Sequence, residues 1–364
     1  MDNQPNRRTV LRTAAVGGSF VVAGCLGSSA PNGSEGTVDG SAQQTADEGL
    51  PDAKAVDTDR VAADPTDIPD PVDWDEPREH DHTVTVEEVT AEIEPGVTFD
   101  YMTYGGQVPG PMVRVRQGDT VNLTFENPED SNLPHNVDYH AVYGPGGGAE
   151  ATTTAPDETA QLRFKATYPG AYIYHCAVQN MDMHISAGMF GIILVEPQGG
   201  LTDVDHEIYL GQHGLYTKGE VGEEGHHAFD VDSLLTENPT YVVMNGEKYA
   251  MTADVHGHAA TVKTGDTARV YFVNGGPNIT SSFHPIGNVW KNMYPQGSLS
   301  TTPQTNIQTT PVPPGSTTIA TMEFPVPGTI KLVDHALTRV ARKGCLATVN
   351  VTGEENSEVF NDKP

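Results

Sequence analysis

Residues 118–121 read Gly-Asp-Thr-Val, and residues 265–268 repeat the motif as Gly-Asp-Thr-Ala. A second pair of matching turns follows, with Tyr-Pro-Gly at 168–170 and Val-Pro-Gly at 326–328. Each turn leads into a short run rich in β-branched and aromatic residues, which is the composition of a β-strand. The same order of turns occurs twice along the chain. The sequence therefore predicts an all-β protein with two tandem Greek-key β-sandwich domains.

The strands of the first copy can be recognised from their alternation. The runs with this pattern are Val84–Val86, Val113–Val115, Val121–Phe125 and Ala171–Tyr174. Residues 191–195 are almost wholly apolar, which predicts a central strand buried on both faces. No stretch has a convincing helical period. The expected divisions of the folded chain are a first domain at 82–200, a second at 201–353 and a C-terminal tail at 354–364.

The composition excludes several classes of protein. The 364 residues carry 49 acidic and 20 basic side chains, for a formal net charge of -29. Nucleic acid is not an expected partner, because phosphate binding needs clustered Lys and Arg. Acids spread along the whole chain indicate a solvated acidic surface, as in proteins of halophiles. Three Cys cannot build a disulfide framework, and the 37% hydrophobic content leaves no room for several membrane spans.

The N-terminal residues have the pattern of an export signal. Arg7 and Arg8 precede an apolar stretch at 13–23, which is too short to span a bilayer. This arrangement resembles a twin-arginine signal, removed as residues 1–24. The sequence Val-Ala-Gly-Cys ending at Cys25 resembles a lipobox, which would anchor the chain at the outer face of the cytoplasmic membrane. Residues 25–81 are rich in Gly, Ser, Ala, Asp and Pro and predict a disordered acidic tether.

Four residues have the spacing of a mononuclear copper site. Cys176, His184 and Met189 fall in one loop, with seven residues between Cys and His and four between His and Met. His135 lies upstream at a strand end. One thiolate, two imidazoles and a thioether are the ligands of an electron-transfer copper, because soft sulfur suits Cu(I) and imidazole tolerates Cu(II). Cys176 or Met189 alone would be explained as a buried core residue.

Two further histidines lie next to this set and are not needed by it. Successive strand residues point to opposite faces, so His175 and Cys176 must point in opposite directions. His140 follows His135 by five residues, and His335 lies at the corresponding strand end of the second copy. Three neutral imidazoles with one open position are typical of a catalytic metal. His335 could come from a neighbouring subunit, which favours a cyclic homo-oligomer.

With these motifs, residues 82–353 resemble the copper-containing nitrite reductases, which are homotrimers of two cupredoxin domains per chain. The resemblance implies one type 1 copper per chain, held by His135, Cys176, His184 and Met189. It implies one type 2 copper, held by His140 and His175 of one subunit and His335 of the next. By the same resemblance, Asp138 and His284 supply protons, and Ile286 shapes the nitrite pocket. Cys345 departs from the family's small apolar residue and is interpreted as a buried, inert thiol.

The resemblance implies the one-electron reduction of nitrite to nitric oxide and water. The electron would pass from the type 1 copper through Cys176 and His175 to the type 2 copper. It would come from a small donor protein, such as a cupredoxin or a cytochrome. Without the resemblance, Asp138 could instead cap a strand or orient a ligand, and His284 could be a satisfied core histidine.

Two other functions use a similar copper site. A multicopper oxidase needs a trinuclear cluster with a His-Cys-His loop, but here the loop reads His175-Cys176-Ala177. His256 and His258 form a His-x-His pair in a Gly- and charge-rich stretch and are expected to be solvated loop residues. A non-enzymatic copper electron carrier needs only the first site, so the second set of three histidines argues against it.

Overall fold

The computed structural model describes residues 49–253 and 260–362. The signal peptide expected at 1–24, the anchor Cys25 and the pair His256 and His258 lie outside these residues. No helix of the described residues is long and apolar enough to cross a membrane.

β-Strands are the main regular structure of the described residues, and the helices have only four to seven residues. The strands are β1 (Glu79–Glu94), β2 (Val97–Tyr104), β3 (Val113–Arg116), β4 (Thr120–Asn127), β5 (Asp138–Tyr139), β6 (Glu158–Lys165), β7 (Gly170–His175), β8 (Phe190–Glu196), β9 (His206–Leu215), β10 (Gly225–His226), β11 (Tyr241–Met244), β12 (Ala260–Lys263), β13 (Thr267–Gly276), β14 (Ser281–Ile286), β15 (Trp290–Pro295), β16 (Gln304–Ile307), β17 (Thr310–Val312), β18 (Ser316–Glu323), β19 (Gly328–Asp334) and β20 (Leu346–Thr352). The helices are α1 (Ala149–Thr152), α2 (Met181–Ser186), α3 (Val231–Leu235) and α4 (Leu337–Lys343).

The strands form four sheets, two for each half of the chain. The first half has sheets in the orders β10-β2-β1-β4-β6 and β3-β8-β7-β5. The second half has sheets in the orders β11-β9-β13-β18-β15-β16 and β12-β20-β19-β14-β17. Strand β10 follows residue 201 in the chain but pairs with β2, so the first half borrows an edge strand from the second. The expected pair of β-sandwiches is present. Strand β10 is the exception to the expected boundary between residues 200 and 201, because it lies after that boundary and pairs in the first sandwich.

The repeated Gly-Asp-Thr motif has the same structural role in both halves. Asp119 accepts a hydrogen bond from the backbone N–H of Arg116 at 2.8 Å, and its carboxylate lies 2.8 Å from the His80 ring. Asp266 accepts one from the N–H three residues earlier at 2.9 Å, and it lies 2.8 Å from the His206 ring. The preceding glycines have φ of +100° and +94°, which favours glycine in these turns. The sequence repeat is thus a repeated turn that fixes the entry into β4 and β13.

Strand β8 lies between two hydrophobic cores. Ile193 and Val195 point into the core of the first sandwich, while Ile192 and Leu194 point into a second core shared with the other sandwich. All seven residues of β8 are buried. This confirms the central strand expected from the unbroken apolar sequence, because a strand covered on both faces gains nothing from polar alternation.

Residues 49–78 were expected to be disordered, and this expectation was wrong. Val61 is fully buried, and the backbone N–H groups of Val61 and Ala62 donate to the buried Glu247 carboxylate at 2.8 and 2.9 Å. Further along, the Trp74 indole donates to Asp119 at 3.1 Å. The composition is too polar for a core of its own, but the two sandwiches supply both the apolar surface and the hydrogen-bond acceptors. We call residues 49–78 the strap.

Candidate metal centres

His135, Cys176 and His184 converge at one end of the first sandwich. His135 precedes β5, Cys176 follows the end of β7, and His184 lies in α2. The Cys176 Sγ atom is 3.9 Å from His135 Nδ1 and 3.6 Å from His184 Nδ1. The two Nδ1 atoms are 3.2 Å apart. Three potential ligand atoms from three separate segments of the chain therefore lie close together.

Met189, the fourth expected ligand, lies at the end of the same loop. It is fully buried in the same hydrophobic core as Cys176. The backbone N–H of Cys176 donates to the Met189 carbonyl at 3.2 Å, which brings the two ends of the loop together. The structure places all four residues of the first predicted site in one region.

Burial changes the pKa of two potential ligands at this site, Cys176 and His184. Burial raises the pKa of the Cys176 thiol, and backbone N–H groups offset this only in part. A metal ion would deprotonate that thiol. Burial, and then the neighbouring His135, lowers the pKa of His184 to about 4, so its imidazole is neutral and can bind a metal near pH 7. These donors therefore fit a copper ion.

Asp138, His140 and His175 form a second group on the opposite face of the same sheet. His140 Nε2 is 3.0 Å from His175 Nε2, and Asp138 Oδ2 is 4.0 Å from the same His175 atom. The His175 Nδ1–H donates to the Cys176 carbonyl at 3.0 Å, which leaves Nε2 to bind a metal. As expected from strand alternation, His175 and Cys176 point to opposite sides.

His284, Ile286 and His335 lie together on the second sandwich. His284 and Ile286 are on β14, and His335 directly follows β19, its partner strand. The rings of His284 and His335 are 5.1 Å apart between centroids. His284 Nδ1 donates to the Gln308 carbonyl at 2.6 Å, which leaves Nε2 as its free nitrogen. Ile286 and His335 are exposed.

These residues do not complete the second group within one chain. In the described part of the chain, the group around His140 and His175 contains Asp138 but not His335. The resemblance implied that His335 joins His140 and His175 from a neighbouring subunit. Within one chain, His140 and His175 therefore belong to one group, and His335 lies outside it.

The sequence did not predict two residues that hold the first site in place. Glu88 Oε1 lies 3.0 Å from His135 Nε2, and the Asn136 carboxamide accepts from the Ala177 N–H at 2.7 Å. Burial opposes ionisation of Glu88, but hydrogen bonds from His135 and Asn132 lower its pKa to about 2. Glu88 comes from β1, 47 residues before His135, so local spacing gave no signal for it. For Asn136, the only signal in the sequence was its position directly after the expected ligand His135.

Cys345 is fully buried within the core of the second sandwich. Burial raises the pKa of its thiol, so the group stays protonated near neutral pH. It belongs to neither group of potential metal ligands in the described residues.

The chain is similar to known copper proteins. A family model described as multicopper oxidase matches residues 85–200. The copper-containing nitrite reductase of Neisseria meningitidis serogroup A is 44% identical over 305 residues, which cover 84% of this chain and 78% of that protein. The copper-containing nitrite reductase of Pseudomonas chlororaphis is 34% identical over 283 residues, which cover 73% of this chain and 76% of that protein.

The solved structures agree with these relatives. The copper nitrite reductase of Nitrosomonas europaea matches with a TM-score of 0.68 at 30% identity, covering 77% of this chain and 96% of that one. The fold is therefore the two-domain cupredoxin-like fold, as expected from the sequence. With the identity and coverage of its relatives, and with groups of His and Cys that fit copper, this chain belongs to the family of copper-containing nitrite reductases.

Proposed function

We propose that the protein reduces nitrite by one electron to nitric oxide and water, with one type 1 and one type 2 copper for each chain. The observation that carries this proposal is the pair His175 and Cys176. These residues are adjacent in the chain, point to opposite faces of one sheet, and belong to two different groups of metal-ligand atoms. A covalent dipeptide between two metal groups is a short route for an electron.

In this proposal, His135, Cys176, His184 and Met189 hold the type 1 copper. When bound, the two coppers supply the one-electron chemistry and the binding of the nitrite anion. The protein fixes the ligands before the metal arrives, because all four are buried and His135 is held by Glu88. A rigid ligand set keeps the geometry nearly unchanged between the two oxidation states. The electron would come from a small cupredoxin or cytochrome.

The second site needs two protons, because nitrite plus one electron and two protons gives nitric oxide and water. Asp138 is placed for one of them, since its Oδ2 atom lies 4.0 Å from His175 Nε2. A carboxylate there can hold a proton on an oxygen next to the bound anion. His284 is the proposed second relay, because its Nδ1–H is fixed by Gln308 and its Nε2 can exchange a proton. Ile286 would limit the pocket on the apolar side.

We propose that the active assembly is a homotrimer whose type 2 site is shared between subunits. His140 and His175 would come from one chain and His335 from the next. Two observations support this arrangement. The ring of His335 is exposed on the second sandwich, and it lies beside His284 rather than beside His140. Cyclic symmetry would build every site in the same way.

A multicopper oxidase is the alternative function that the family model matching residues 85–200 suggests. A trinuclear cluster would need a second His after Cys176, where this chain has Ala177. An electron carrier would not need the group of Asp138, His140 and His175. Both alternatives therefore leave part of the site unexplained.

Copper content, visible absorption and anaerobic nitrite turnover with a reduced dye test this function together. We expect two coppers per chain, an intense visible band and nitric oxide formation. Cys176→Ala should lose the band, one copper and turnover, since only a thiolate on Cu(II) gives a strong charge-transfer band. Cys345→Ala is the matched control and should keep all three. A band that persists in Cys176→Ala, or a wild-type protein with one copper and no turnover, would refute the proposal.

A further inference from the structure

The chain reverses direction over Asp138 soon after β5. Residues 144–148 read Gly-Pro-Gly-Gly-Gly and form a tight turn that leads into α1. Gly146 and Gly147 have φ of +54° and +57°, in the left-handed region. Both positions therefore carry the same backbone strain for any other residue.

Gly147 differs from Gly146 in what its missing side chain would meet. A Cβ atom on Gly147 would lie 1.9 Å from Asp138 Oδ1 and 2.8 Å from the Tyr139 carbonyl oxygen. A Cβ atom on Gly146 would lie 3.3 Å from the Ala149 Cβ atom, which is a tight but tolerable contact. The carboxylate of Asp138 thus occupies the space above the bare Cα of Gly147. Its other oxygen, Oδ2, faces His175 at 4.0 Å.

The turn is held against Asp138 by the residues on both sides of it. The Thr152 hydroxyl in α1 lies 3.0 Å from the Val137 N–H and 3.1 Å from the Gly148 carbonyl. The Asn136 amide donates to the Thr153 hydroxyl at 3.0 Å. The residues just before Asp138 are therefore tied to the helix just after the turn. Because of these bonds, the turn cannot simply move away from an added side chain.

We propose that Gly147 is a positioning residue for the Asp138 carboxylate. The turn closes one side of the carboxylate, so Oδ1 packs against the Gly147 backbone and Oδ2 is directed to the face of His140 and His175. A methyl group at 147 would push the carboxylate out of this position. The inference rests on the proposed function of the second site.

Gly147→Ala and Gly146→Ala test this inference as a matched pair, because both add one methyl at nearly the same φ. We expect Gly147→Ala to keep both coppers and the visible band but to lower kcat for nitrite by about 10²-fold, as a displacement near 1 Å can do. Gly146→Ala should stay within about threefold of wild type, the scale of an ordinary surface change. Crystal structures of both variants should show a displaced Asp138 carboxylate only in Gly147→Ala. Equal kcat values in the two variants, or an unmoved carboxylate, would overturn the inference.

A second comparison separates positioning from folding. In an Asp138→Ala background, adding Gly147→Ala should change kcat no further, since the displaced group is already absent. The double variant should also fold if Gly147→Ala alone does not, because the clash with Oδ1 is gone. An additional loss of kcat in the double variant, or its failure to fold, would assign the effect to the Tyr139 carbonyl and refute the proposal. Wild-type protein without nitrite turnover would instead refute the proposed function.

Discussion

The buried side chain of His213 makes the stability of the fold depend on pH. Its ring is fully buried on β9 and packs beside Phe190, which directly follows Met189. Its Nδ1–H donates to the Ser186 carbonyl at 3.0 Å, while its Nε2 atom has no hydrogen-bond partner among the described residues. Burial lowers the pKa of His213 to about 4, with the bond to Ser186 opposing this only in part.

The sign of the resulting pH dependence follows from proton uptake. Between pH 6.5 and 4 the unfolded chain protonates His213 and the folded chain does not, so stability falls as the pH falls through this window. His213→Gln keeps an amide donor for the Ser186 carbonyl but does not titrate. From pH 6.5 to pH 5, the free energy of unfolding should drop by about 2 kcal/mol less in this variant than in wild type.

Denaturant unfolding of the metal-free protein at the two pH values measures this difference. Removing the metal keeps acid release of copper from adding to the result. Equal acid losses in wild type and His213→Gln would show that His213 does not titrate in this way.

At the scale of elements, the strap depends on one carboxylate of the second sandwich. Glu247 accepts the N–H groups of Val61 and Ala62, and the Arg60 guanidinium lies 3.4 Å from its other oxygen. A buried N–H without an acceptor costs about 1–3 kcal/mol. The strap is thus attached by these polar bonds as well as by the burial of Val61.

Glu247→Leu should release the strap, because it removes the acceptor of two buried N–H groups. We expect the free energy of unfolding to fall by about 2–4 kcal/mol and trypsin to cleave after Arg60 in the folded protein. Glu247→Gln keeps an oxygen acceptor at the same size, so its loss should be smaller and its strap should resist trypsin. Trypsin resistance of the Leu variant would contradict this account of the strap.

At the scale of the whole molecule, the two sandwiches share one apolar core. Ile192 of the first sandwich and Tyr271 of the second belong to the same buried cluster, together with Val61 of the strap. A buried ion-pair network crosses the same boundary, since Arg114 lies 2.6 Å from both Glu196 and Glu207. The two sandwiches therefore hold each other in a fixed relation, which presents the group of His140 and the group of His335 on two rigid surfaces.

Mixed assemblies test whether those two surfaces meet between chains. His335→Ala should be inactive alone, and Asp138→Ala should keep only a small residual turnover. In trimers assembled from equal amounts of both, about a quarter of the interfaces would take His140, His175 and Asp138 from the first variant and His335 from the second. Nitrite turnover should recover to about a quarter of the wild-type rate.

Type 1 absorption serves as the control, because neither substitution touches that site. It should stay at the wild-type level in both variants and in the mixture. If all three histidines came from one chain, every site would carry a defect and mixing would restore no turnover.

The sequence by itself determined the fold class and the candidate ligands, because both depend on local relations. Turn glycines, strand alternation and the Cys176–His184–Met189 spacing each involve only a few neighbouring residues. The internal repeat shows the turn glycines in two places. The opposite directions of His175 and Cys176 follow from the pleat alone. The same reasoning failed for the strap, whose composition is polar but whose partners lie in the two sandwiches.

Only the tertiary structure decided which distant residues touch. Glu88 reaches His135 across 47 positions, and Arg114 reaches Glu207 across 93. The turn at Gly147 packs against the Asp138 carboxylate. The glycine-rich sequence of the turn does not predict this contact. Such contacts depend on how whole sheets and loops pack, and many pairings of charged or small residues satisfy the same local pattern. Local chemistry therefore determined which residues could bind metal, and long-range packing determined how they are held.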